Sequence, residues 1–130
     1  MSRLGQHQKE HKVKKVLLVD DEESIQMVYR EEFEDDGYEV ISALNGESGL
    51  EKFKQEKPDL VILDIQMPGM NGVEVLRQMK MIDSTVPIIL SSAYQEFKRD
   101  LGTWASDEYV VKSGNLEELK KTVRRLLKED

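Results

Sequence analysis

The stretch Leu60-Val61-Ile62-Leu63-Asp64-Ile65-Gln66-Met67-Pro68-Gly69-Met70-Asn71-Gly72 decides the fold. Four apolar residues run into a carboxylate, and Pro68, Gly69 and Gly72 then interrupt any regular element. A continuous apolar run of this length, bounded by turn residues, suits a strand covered on both faces. Its last residue lies at the rim of a sheet. In open parallel α/β sheets the carboxyl rim is where ligands bind. Asp64 therefore marks the expected site.

Working outward, Val16-Leu17-Leu18-Val19-Asp20 is a second buried run that ends in acid, and Pro87-Ile88-Ile89-Leu90-Ser91 is a third. Glu39-Val40-Ile41-Ser42-Ala43 alternates in part and reads as an edge strand. Tyr109-Val110-Val111-Lys112 reads as a last short strand. Helical spacing fills the intervals. From about Glu23, Ile25, Val28 and Phe33 share a face, and Gly37 suits a C-terminal cap. Asn45 caps a helix through Glu56 with Leu50 and Phe53 inward. Asn71 and Glu74 have capping-box spacing and open a helix to about Ile82, with Val73, Leu76 and Met79 inward. Residues 94–101 give a short, poorly amphipathic helix stopped by Gly102. Asn115 and Glu118 repeat the capping spacing before a helix that buries Leu116, Leu119, Val123, Leu126 and Leu127. Strand followed by helix, five times over, implies βαβ crossovers and a parallel sheet with helices on both faces.

The 130 residues match one domain in size. No apolar run reaches the ~18 residues of a membrane span, and the polar N-terminus has no secretory h-region. Cysteine is absent, so disulfides and thiolate metal sites are excluded. A cytoplasmic location is the expectation. Residues 1–15 hold five cations and one acid, a local charge of +4, so the net −7 leaves −11 on the remainder. An acidic body argues against direct nucleic-acid binding, which needs a basic face, and no membrane contact is expected. Residues 1–14 lack periodic apolar positions and read as a flexible basic tail.

Right-handed crossovers carry every strand C-terminus to one edge. That edge would collect Asp20, Asp21, Asp64, Ser91 or Ser92, and Lys112. Three carboxylates this close repel one another. A hard cation resolves the conflict, and Mg²⁺ takes oxygen ligands, typically one or two carboxylates plus a phosphate. Beside a lysine and a hydroxyl, such a cluster is a phosphoryl-handling site in which a carboxylate can become an aspartyl-phosphate.

The chain resembles the receiver domain of two-component response regulators over residues 15–128. The resemblance rests on Val16-Leu17-Leu18-Val19-Asp20-Asp21-Glu22, on Leu63-Asp64-Ile65-Gln66-Met67-Pro68-Gly69-Met70-Asn71-Gly72, on Ser92-Ala93 and on Tyr109-Val110-Val111-Lys112. It implies a flavodoxin-like doubly wound (βα)5 fold with strand order 2-1-3-4-5 and a receiver domain over residues 15–130. It further implies Asp64 as phosphoacceptor, Asp21 as a direct Mg²⁺ ligand, Asp20 as an acid acting mainly through water, and the Gln66 backbone carbonyl as a further ligand. Ser92 matches the switch hydroxyl, Lys112 the phosphate-pairing lysine, and Tyr109 the aromatic that turns inward on activation. The implied donor is a sensor histidine kinase or a histidine phosphotransfer protein, and an output protein or output domain reads the signal. Tyr94, Trp104 and Tyr109 fall on the implied partner surface.

Two positions depart from the family pattern. Ser113 follows Lys112 where the family usually has a proline in a cis peptide. A cis bond before a non-proline residue costs ~2.5–4 kcal/mol, so a trans bond is expected. The interval between Ser92 and Tyr109 also looks short for a full helix, which points to an altered output face. A Mg²⁺-dependent phosphatase or phosphotransferase of the haloacid-dehalogenase kind is the alternative, since it too uses an aspartyl nucleophile. That class wants a second acid two residues later, where Gln66 stands.

Overall fold

The computed structural model describes residues 12–93, 107–112 and 115–129. The strands are β1 (Lys15–Val19), β2 (Glu39–Ala43), β3 (Leu60–Asp64), β4 (Ile88–Ser92) and β5 (Glu108–Val111). The helices are α1 (Glu23–Asp35), α2 (Gly46–Glu56), α3 (Gly72–Ile82) and α4 (Glu117–Leu126). All strands pair in parallel, in the order β2-β1-β3-β4-β5. This is the flavodoxin-like order, with β3 in the centre and β2 on an edge. Residues 1–11 of the expected 1–14 tail, the segment 94–106 with Tyr94 and Trp104, and the Lys112–Ser113 bond lie outside the described residues.

Strand alternation divides the core in two. Leu17, Val19, Val61, Leu63, Ile88 and Leu90 meet α2 and α3 through Leu50, Phe53, Val75, Leu76 and Met79. Val16, Leu18, Leu60, Ile62, Ile89 and Val110 meet α1 and α4 through Tyr29, Phe33, Leu119 and Val123. Every residue of β3 is buried, as its unbroken apolar run requires.

The caps at Asn45 and Asn71 form as their spacing predicts. The Asn45 side chain accepts from the Ser48 N–H at 2.8 Å and the Asn71 side chain from the Glu74 N–H at 3.0 Å. Gly37 follows α1 at φ +98°, a left-handed conformation that suits glycine. Asn115 instead accepts from the Glu117 N–H at 2.8 Å, and α4 begins there. Leu119 and Val123 are buried in α4, with Leu116, Leu126 and Leu127 packed at the margin.

Two inward faces differ from the sequence expectation. Val28 is 51% exposed, and α1 buries Gln26, Tyr29 and Phe33. Tyr29 and Phe33 are four residues apart and meet edge to face, so these rings set the rotation of the helix and turn Val28 outward. In α3 Val75 is buried beside Leu76 and Met79, while Val73 packs at the edge of the core.

Candidate functional site

Register brings the predicted residues together. Val19 pairs with Leu63 and Asp64 with Ser91, so Asp20 continues β1 level with Asp64. Ser91 pairs with Val110, and Lys112 lies two residues further on, just past the end of β5. The two-residue alternation puts Asp20, Asp64 and Lys112 on the α1/α4 side of the sheet. The Lys112 N–H donates to the Ser92 carbonyl at 2.6 Å, which holds the chain against β4 as it leaves the strand.

The Lys112 side chain is 11% exposed and its ammonium faces three carboxylates. Its Nζ lies 2.8 Å from Asp20 Oδ2, 3.2 Å from Glu22 Oε1 and 3.4 Å from Asp64 Oδ1. An ammonium has three N–H donors, so each carboxylate takes one. Asp20 Oδ1 accepts from the Glu22 N–H at 3.0 Å. Asp64 Oδ1 also accepts from the Gln66 N–H at 3.3 Å. The loop beyond Asp64 folds back tightly, with the Gly72 N–H donating to the Ile65 carbonyl at 2.8 Å. A Cβ on Gly72 would stand 2.3 Å from the Asp64 carbonyl oxygen, so only glycine fits.

The site holds more negative charge than Lys112 can offset. Burial, and then the Asp20 carboxylate, push the Asp64 carboxyl up to about 6 against the pull of Lys112 and the Gln66 N–H. For Lys112, burial acts to lower its pKa. The hydrogen bond and charge of Asp20, with Asp64 and Glu22, outweigh that and hold the ammonium above its ordinary value. One carboxylate oxygen from each of Asp20, Asp21 and Asp64 lies within 4.8 Å of the others. Oxygens this close can gather around one hard cation. The donor set is hard oxygen throughout, and the unrelieved repulsion is what a divalent cation removes. These residues fit Mg²⁺.

Ser91 and Ser92 are both buried. Ser91 is level with Asp64. Ser92 lies two residues beyond Leu90, the register partner of Tyr109, so Ser92 and Tyr109 share the α2/α3 side. Tyr109, expected on the partner surface and as a ring that turns inward only on activation, is already buried and packed in that core, because strand alternation points it toward the α2/α3 layer. Two residues of this region carried no functional expectation. Glu22 reads in sequence as an ordinary helix-start acid. Gln26 stands on a helix face otherwise read as apolar. Its only signal is that a polar residue falls one turn before Tyr29 and two turns before Phe33.

The sequence profile of the response regulator receiver domain matches residues 16–124. Sporulation initiation phosphotransferase F of Bacillus subtilis is 35% identical over 118 residues, covering 87% of this chain and 93% of that protein. The alkaline phosphatase synthesis transcriptional regulatory protein PhoP of the same organism is 38% identical over 88% of this chain, which spans 49% of that longer protein. Among solved structures, the response regulator protein TrrA of Thermotoga maritima in complex with Mg²⁺-BeF superposes with a TM-score of 0.84 at 47% identity, over 88% of this chain and 99% of that one. TrrA in complex with the histidine kinase ThkA gives a TM-score of 0.82 at the same identity and coverage. The chain belongs to the response regulator receiver domain family. Among the described residues, no helix is long and apolar enough to cross a membrane.

Proposed function

We propose that Asp64 accepts a phosphoryl group from a phosphohistidine on a sensor histidine kinase or phosphotransfer protein. The observation that carries this reading is Lys112 Nζ held between Asp64 and Asp20, with Asp21 alongside. An ionised Asp64 oxygen attacks phosphorus. The bond from phosphorus to the donor imidazole nitrogen breaks, its electron pair returns to that nitrogen, and the nitrogen then takes a proton. Lys112 faces the transferring oxygens and offsets their charge, the part of phosphoryl transfer a protein most readily assists. Bound Mg²⁺ adds charge neutralisation at the same oxygens. Asp21 and the Gln66 carbonyl are the direct protein ligands in this reading, with Asp64, and Asp20 acts through water.

Ser92 then bonds the new phosphoryl group, and Tyr109, already buried on the same face, feels that change through the core it packs in. In this reading Tyr94 and Trp104 belong to the output surface. The domain occupies residues 15–130 behind a basic tail, acts in the cytoplasm, and catalyses only its own phosphorylation and dephosphorylation. Treatment with a small phosphodonor and MgCl2, followed by intact mass measurement, tests the reading. A phosphoryl adduct on the wild type and none on a folded Asp64→Asn is expected. An equal adduct on Asp64→Asn would refute the assignment. The dehalogenase-type alternative predicts turnover of an added phosphate ester. Gln66, two residues after Asp64, lacks the acid that this chemistry wants.

A further inference from the structure

We propose that Gln26 is a positioning residue for the acidic loop, its side-chain amide fixing the Asp20 peptide so that Asp20 and Asp21 are held ready for the cation. The inference rests on the reading of Asp20, Asp21 and Asp64 as the Mg²⁺ site.

Gln26 is 7% exposed and lies on the buried face of α1. Its Nε2 donates to the carbonyls of Asp20 and Ala43 at 2.9 Å each and of Leu18 at 3.2 Å. Two hydrogens thus serve three acceptors drawn from β1, the acidic loop and the end of β2. Only the nitrogen end of the amide can face three carbonyl oxygens. The other end is consequently stranded, and Oε1 is buried without a hydrogen-bond partner. Such an orphan acceptor costs stability. Gln26 therefore makes a poor core residue and a good clamp.

The clamp completes the restraint of Asp20. The Asp20 N–H donates to the Ala43 carbonyl at 3.0 Å, and the Asp20 carbonyl accepts from Gln26. Oδ1 accepts from the Glu22 N–H and Oδ2 from Lys112. Every polar group of Asp20 is thereby engaged, and Asp21 is the next residue in the chain. Of these restraints, Gln26 alone is an uncharged side chain standing behind the site. Removing it changes no charge there. It alters only how firmly the loop is held.

The test is a titration of the unphosphorylated full chain with MgCl2, followed by backbone amide NMR, which reports fold and affinity together. Gln26→Met keeps the length of the side chain and removes its donors. It is expected to stay folded and bind Mg²⁺ ~10-fold more weakly, the loss typical when a group supporting a metal ligand is removed. Phe33→Leu, two turns further along the same buried face, should lower the melting temperature while keeping wild-type Mg²⁺ affinity. Wild-type affinity in Gln26→Met, or an equal loss in Phe33→Leu, overturns the proposal. Should Gln26→Met fail to fold, Gln26→Asn, which keeps the amide but falls a methylene short, is read by the same two outcomes. A wild type that binds no Mg²⁺ defeats the underlying site assignment, a result distinct from a wild type that binds while Gln26→Met binds as well.

Discussion

Each end of the sheet holds a nearly buried lysine, and the two are wired differently. At the N-terminal end, Lys80 Nζ donates to the carbonyls of Val86 and Ser84 at 3.0 and 3.5 Å and to Asp107 Oδ2 at 2.9 Å. That carboxylate oxygen also accepts from the Ile88 N–H at 2.7 Å. One acid and two neutral acceptors close the account of Lys80. At the C-terminal end, Lys112 faces three carboxylates, with Asp21 as a fourth acid close by. The lysines are similarly shielded, at 15% and 11% exposed. The difference is unbalanced negative charge. A neutralised lysine ties β5 and the α3–β4 connection together, whereas an over-supplied one sits among carboxylates whose remaining charge a divalent cation would offset.

Predictions follow from breaking each end in turn. The largest effect is expected at Lys112. Lys112→Met should slow phosphorylation by a small phosphodonor ~100-fold or more, the scale on which charge stabilisation of a transition state operates. Lys80→Met should leave that rate unchanged and cost about 1 kcal/mol of stability, the worth of a partly exposed ion pair and its hydrogen bonds. Equal rate losses in the two variants would erase the contrast.

Next in size is a pH effect in Mg²⁺-free buffer. The Asp64 carboxyl is raised from 3.8 to about 6 in the folded protein. Between those values the native state binds more protons than the unfolded chain, so stability falls as pH rises through that window. Above it the wild type carries a penalty on the order of 1–3 kcal/mol, which Asp64→Asn removes. Denaturant melts should show Asp64→Asn the more stable protein at pH 7 and the advantage gone by pH 3. MgCl2 should narrow the gap at pH 7. A wild type as stable as the variant at pH 7 without Mg²⁺ would mean the repulsion is absent.

The smallest effect belongs to Glu22, whose side chain is 57% exposed. A phosphoryl group arriving at Asp64 must displace one of the three partners of Lys112, and the solvated Glu22 is the easiest to release. Glu22→Gln should tighten beryllofluoride binding about 2–5-fold, in keeping with the modest worth of an exposed ion pair. Calorimetry showing weaker binding would give Glu22 a supporting role instead of a competing one.

Much of this arrangement was legible in the sequence. The runs before Asp20 and Asp64 announce a buried parallel sheet, because nothing else hides four consecutive apolar residues so economically in a chain of this size. Asn45 and Asn71 announce their helices through chemistry local to a few residues. Lys112 was legible through its place after an apolar run. What was not legible depends on rotation and partnership across the fold. Val28 and Gln26 are two residues apart on α1, and apolar spacing prefers the valine inward. The packing of Tyr29 on Phe33 turns the helix the other way, and the carbonyls at the ends of β1 and β2 then accept the amide. Glu22 resembles any acid at a helix start until Lys112, 90 positions later, folds against it.

The fit at Gly72 bears on where a signal can travel. The backbone of Asp64 is pressed against α3 with room for nothing beyond a hydrogen atom. That side of the site is a hard wall. A displacement caused by chemistry at the Asp64 side chain finds no slack in the backbone on that side. One side of the site is thus made unyielding by the missing side chain of a single residue.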